Sequence, residues 1–158
     1  MQTIRPRYMV IGIGNPDRGD DAAGRAVARC LQAAPPAGVG IVEHDGEATS
    51  LLAHLENAAA AVLIDACVSG APPGAVRRFD VTAVPLPRDG FRLSTHGLGL
   101  PEAVELARAL GQMPRRCVVY AIEAGSFDSG AGLSPPVATA VRETAERVRA
   151  EFRRIASH

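Results

Sequence analysis

Four apolar runs, Tyr8 to Ile13, Val39 to Val42, Ala60 to Ile64 and Cys117 to Ile122, recur between helical stretches, and each is about as long as one buried strand. Runs that stay apolar instead of alternating belong to strands covered on both faces. The pattern therefore predicts an α/β fold on a parallel sheet. A fifth stretch, Ala75 to Val81, is more polar and lies between Pro72-Pro73-Gly74 and Pro85-Leu86-Pro87, which fits an edge strand able to run against the others. Helices are expected over Asp21 to Ala34, stopped by Pro35-Pro36, over Thr49 to Leu55, and over Pro101 to Leu110, closed by Gly111. After Ser134-Pro135-Pro136, Val137, Val141, Val148, Phe152 and Ile155 trace an apolar stripe that packs on the sheet and leaves the arginines and glutamates of that helix in solvent.

The 158 residues read as a single domain over 1–158, with no stretch that has the composition of a linker. Lysine plus arginine and aspartate plus glutamate are each 17, so no basic excess draws the chain to nucleic acid or to an anionic membrane. No apolar run approaches the roughly 20 residues of a membrane span, and Met1 to Arg7 lacks a secretory apolar stretch, so a cytoplasmic protein is expected. Cys30, Cys67 and Cys117 are odd in number and far apart, which indicates reduced thiols. Packing accounts for Cys30 and Cys117. Cys67, two residues past an acid at a strand end, is less easily dismissed.

The first strand leads into Gly12-Ile-Gly-Asn-Pro-Asp-Arg-Gly-Asp-Asp21, which starts like a dinucleotide-binding turn and then departs from it. Asp17 stands where the third glycine belongs. With Asp20, Asp21 and only Arg18 in opposition, the turn carries about two net negative charges and suits a cation, not a phosphate. Two further polar signals fall near predicted strand ends or loops: Asp65 directly after Ala-Val-Leu-Ile, and His96 in Ser94-Thr-His-Gly-Leu98. Two carboxylates and an imidazole make a hard-to-borderline metal site with open positions, if the fold brings them together. Plainer roles exist for each. Asp20 can cap the first helix, Asp21 can be a first-turn acid, Asp65 can cap a loop and His96 can bond loop backbone. His54 and His158 read as solvated, and His44, beside Asp45-Gly46, can stand either behind the ligands of a site or on its rim.

Five blocks, Gly12 to Asp21, Asp45-Gly46, Leu63-Ile-Asp-Ala66, Ser94 to Leu98 and Tyr120-Ala-Ile-Glu-Ala-Gly-Ser-Phe-Asp128, occur in the order seen in the hydrogenase maturation proteases, and the chain resembles that family over about residues 8 to 150. The resemblance implies an endopeptidase that trims the C-terminal extension from the large-subunit precursor of a nickel-iron hydrogenase after nickel insertion. It also implies a three-layer α/β/α sandwich on a mostly parallel, twisted five-stranded sheet with one antiparallel strand. The family's metal-contacting, catalytic positions match Asp21, Asp65 and His96. The metal is then nickel carried by the substrate, although zinc or cadmium suits the same ligands. Family members often carry glutamate where Asp21 stands, glycine where Ala22 stands and proline where Ala124 stands. Two other mechanisms fit the residues: a cysteine hydrolase using Cys67 and His96, and a module that inspects the nickel subunit without cutting it.

Overall fold

The computed structural model describes residues 7–91 and 98–156. Five strands, β1 (Tyr8–Ile13), β2 (Val39–His44), β3 (Ala60–Cys67), β4 (Val76–Asp80) and β5 (Arg116–Glu123), form one sheet in the order β2-β1-β3-β5-β4. The first four in that order are parallel, and β4 pairs antiparallel with β5, as its polar sequence and flanking prolines anticipate. The helices are α1 (Ala23–Ala33), α2 (Ala48–Glu56), α3 (Leu100–Ala109) and α4 (Pro135–Ala156).

Each strand's alternate side chains feed one of two cores, which makes the three layers. Ile11, Leu63 and Val119 point to the side covered by Leu51 and Leu55 of α2 and Val104 and Ala107 of α3. Val10, Val62, Ile64, Val118 and Ile122 face Val27 and Leu31 of α1 and Val137, Val141, Val148 and Phe152 of α4. Among the described residues no helix is long and apolar enough to cross a membrane.

The strands run past their apolar stretches onto polar residues, because their backbones go on pairing there. Asp65 pairs with Ala121 and Cys67 with Glu123, so the backbone of Asp65 lies within β3 and not in a loop. Two other expectations change. The acidic pair does not open α1: Gly19–Ala22 forms a 3-10 turn, and α1 begins at Ala23 without a side-chain cap. Glu151 of α4, expected in solvent, is 1% exposed. It accepts from Tyr120 Oη at 2.8 Å and from Arg78 Nη2 at 3.3 Å, with Arg78 Nε in closer contact and Arg154 Nη2 at 3.3 Å. Burial pushes the Glu151 carboxyl up, but the Arg78 and Tyr120 hydrogen bonds and the two arginine charges outweigh it and hold the pKa below the usual range.

From β1 the chain crosses to β2 on one side and later returns to β3 on the other, which opens a crevice beyond the carboxyl ends of β1 and β3. α1 sits directly on those ends. A Cβ on Gly24 would lie 2.3 Å from the carbonyl oxygens of both Ile13 and Ile64, so only glycine permits this approach.

Candidate functional site

At that crevice lies a cleft of about 410 Å³ lined by Gly14, Asn15, Arg18, Asp21 and Arg25 after β1, by Asp45 and Gly46 after β2, and by Asp65 of β3. Leu51, Leu98 and Leu100 give it an apolar side. Asp21 and Asp65, separated in sequence, are therefore walls of one cavity. Asp21 is half-buried, and its Oδ2 accepts the Asn15 N–H at 3.1 Å. Asp65 is 7% exposed, and its Oδ1 accepts the Ala66 N–H at 2.9 Å. His96, the third expected ligand, lies outside the described residues. Among those described, no group of three or more His, Cys, Asp or Glu side chains is placed to hold a metal ion.

The glycine turn is closed to phosphate by its own bonding. Gly14 N–H donates to the His44 carbonyl at 3.0 Å and Asn15 N–H to Asp21, so the donors that would cradle a pyrophosphate are occupied. Gly14 itself has φ 154°, and a Cβ there would come within 1.9 Å of the Asp21 carbonyl oxygen, which seats the turn against the acid's own backbone.

Two acids hold the loops around the cleft: Asp20, for which the sequence offered a helix cap, and Glu123, to which it gave no role. Asp20 is completely buried. Its Oδ2 accepts Gly125 N–H at 2.8 Å, Ser126 N–H at 3.0 Å and Ser134 Oγ at 2.7 Å, and its Oδ1 accepts Ser134 N–H at 2.7 Å. It is thus no helix cap but the clasp between the acidic turn and the segment joining β5 to α4. Burial raises its pKa, yet the bonds from Ser134, Gly125 and Ser126 outweigh that and hold it below the usual aspartate range. Glu123, 2% exposed at the end of β5, accepts Ser69 N–H at 2.8 Å and Ser69 Oγ at 2.5 Å. It fixes the exit of β3 just beyond Asp65. Glu123 ends an apolar run, the same signal that picked out Asp65, whereas Asp20 follows the polar turn Asn15 to Gly19 and carries no such signal.

Of the two places open to His44, the structure gives the one behind the cleft wall, where it is buried against Gly46. Its Nδ1 accepts Gly46 N–H at 2.8 Å, which assigns the proton to Nε2, 3.1 Å from Ser50 Oγ. The ring is therefore neutral, and burial pushes its pKa down, against the pull of Asp45 and with the help of His54. His54, expected in solvent, is half-buried edge-on to His44 at 5.7 Å between centroids.

Cys67 is fully buried, its thiol directed to Glu123 Oε1 at 3.6 Å, with Arg77 Nη2 3.7 Å from the sulfur. Burial drives its pKa up against the opposing Arg77 contact. A thiol that is inaccessible and kept protonated is a poor nucleophile, and the cysteine hydrolase mechanism loses its attacking group.

The fold that frames this cleft is shared with solved maturation endopeptidases. The hydrogenase maturating endopeptidase HybD from E. coli superposes with a TM-score of 0.76 at 27% identity, over 94% of this chain and 93% of that one. The solution structure of an endopeptidase from Escherichia coli gives 0.79 at 26%, with the same coverage. The hydrogenase expression/formation protein HupD of Rhodobacter capsulatus is 30% identical over 142 residues, 87% of this chain and 68% of its own length. HupD of Thiocapsa roseopersicina is 27% identical, and the aligned region is 61% of that protein. A family model described as hydrogenase maturation protease matches residues 25–151, and the chain belongs to that family.

Proposed function

We propose that this protein is an endopeptidase that removes the C-terminal extension of a nickel-iron hydrogenase large-subunit precursor once nickel is in place. The observation that carries the reading is the meeting of Asp21 and Asp65 on one open cleft in a member of this protease family. Both are oxygen donors suited to a divalent ion, and Oδ1 of Asp21 has no protein partner among the described residues. Asp21, Asp65 and His96 contact nickel that arrives as part of the substrate. An ion so held supplies Lewis-acid polarisation of a nearby peptide carbonyl.

The chain's own residues do the rest. The 3-10 turn clasped by Asp20 presents the Asp21 carboxylate, Glu123 and the β3–β5 pairing fix Asp65, and the leucines give a polypeptide an apolar surface to lie on. Recognition through a delivered ion would also refuse apo precursor, which lacks the anchor.

The test is a trimming assay with nickel-loaded and nickel-free precursor. Only the loaded precursor is expected to be shortened, and Asp21→Asn, Asp65→Asn and His96→Ala are each expected to stop it. Equal trimming of nickel-free precursor would overturn the nickel step. Normal trimming by all three variants would overturn the site.

A further inference from the structure

The wall that carries Asp21 also carries a guanidinium that peptide cleavage as described leaves without a task. Arg25 follows Asp21 by four residues, lines the same cleft and has a side chain about one-fifth exposed. Its Nε donates to the Gly14 carbonyl at 2.6 Å, and its Nη1 lies 3.6 Å from Glu43 Oε1. Glu43 is held more closely by Arg29, whose Nε and Nη2 stand 3.1 and 3.0 Å from the same oxygen. Two contacts thus aim the Arg25 plane, while its Nη2 has no protein partner among the described residues. A guanidinium fixed in orientation with a donor edge still open is the arrangement that a carboxylate takes up.

Charge points the same way. The cleft presents Asp21, Asp45 and Asp65, which repel an anion everywhere except beside Arg18 and Arg25. Arg18 lies on the exposed turn, bridged to Ser129, whereas Arg25 is braced within the wall. Hydrolysis of a peptide bond adds hydroxide to the acyl carbon and a proton to the amine nitrogen, so each cut also creates a carboxylate inside this cleft.

We propose that Arg25 forms a carboxylate-binding subsite of the cleft. Its ligand is a carboxylate of the bound polypeptide, either an acidic side chain near the cut or the new C-terminus. The proposal rests on the reading above only in that a polypeptide occupies the cleft, because the binding itself requires neither metal nor cleavage.

The experiment titrates isotope-labelled full-length protein, without metal, while the arginine Nε–H resonances are followed. The probes are acetyl-Gly-Asp-Gly-amide, acetyl-Gly-Gly with a free C-terminus, and the neutral acetyl-Gly-Asn-Gly-amide. The resonance missing from Arg25→Gln is expected to shift saturably with a carboxylate peptide, at an affinity about tenfold above that for the neutral peptide. Whichever carboxylate binds more tightly identifies the source. Arg18→Gln is expected to keep the response. Equal affinity for the neutral peptide, no response, or loss in Arg18→Gln but not in Arg25→Gln would overturn the assignment. Should Arg25→Gln disturb the Gly14 turn, the carboxylate-to-amide difference in the unaltered protein decides. A subsite intact in a protein that trims no precursor would sink the protease reading and leave this one standing.

Discussion

Asp20 and Ser134 are 114 residues apart in sequence, yet Ser134 gives the Asp20 carboxylate both its N–H and its hydroxyl, each at 2.7 Å. With Gly125 and Ser126 they make a clasp of four charge-assisted bonds, closed on a side chain without solvent. Asp20→Ala is expected to cost about 3 kcal/mol of stability by removing the buried acceptor of four donors. Because the folded pKa is depressed, the contribution is complete above the ordinary aspartate value and is lost as pH falls through the lowered folded one. Asp20→Asn should therefore show a flatter acid limb than the parent in thermal melts taken from neutral pH down to about pH 3.

The ion pair between Arg78 of β4 and Glu151 of α4 gives a second prediction. Glu151→Gln leaves Arg78 facing a neutral partner in a part-buried site and is expected to destabilise by about 3 kcal/mol. Replacing both, as Arg78→Met with Glu151→Leu, should recover most of that loss. Denaturant unfolding of the two variants checks it, and a double variant as weak as the single one would refute the account.

At Gly24 the contact is with backbone, so the sheet itself would have to move. Gly24→Ala brings a methyl to 2.3 Å from two carbonyl oxygens. A loss of at least about 2 kcal/mol is expected, read as a lowered melting temperature and soluble yield.

His44 offers a pH test of opposite chemistry but the same sign. Its folded pKa lies below the free value, so the stability it contributes is present above about pH 6.5 and is lost as pH falls through the depressed folded value. Between about pH 7.5 and about pH 5 the parent should lose more stability than His44→Gln, a difference that melting curves at matched ionic strength would reveal.

For activity, Asp21→Asn and Asp65→Asn are each expected to lower precursor trimming by roughly a hundredfold or more, whereas Asp21→Glu should retain it because the added methylene preserves the carboxylate. Cys67→Ser is expected to leave trimming intact, since its sulfur is sealed behind Glu123. Full loss in Cys67→Ser with an unchanged melting temperature would contradict this.

The sheet and most of its helices could be read from apolar periodicity, because β1, β3 and β5 are buried on both faces and their sequences say so. What periodicity could not supply was the role of polar residues whose partners are distant. Asp20 looked like a helix cap because its real donors lie in a loop more than a hundred residues away. Glu151 sat among solvated glutamates until Arg78 and Tyr120, on strands the helix crosses, gave it a reason to be buried. Whether His44 stands on the rim or behind it turns on its anchor, Gly46 N–H, which is set by turn geometry that sequence spacing does not reveal. Asp21 and Asp65 were picked out by position at strand ends, and the switch point of the sheet is what turns two such positions into neighbours on one cavity.

The contact of Gly24 with the carbonyls of Ile13 in β1 and Ile64 in β3 ties α1 and two neighbouring strands together beside the cavity. The spacing of the acids is then dictated by main-chain atoms in contact, with little slack for side-chain adjustment. Mutations elsewhere in the interior should accordingly change how many molecules are folded long before they change how well each folded molecule performs, and dose should separate from quality in this protein.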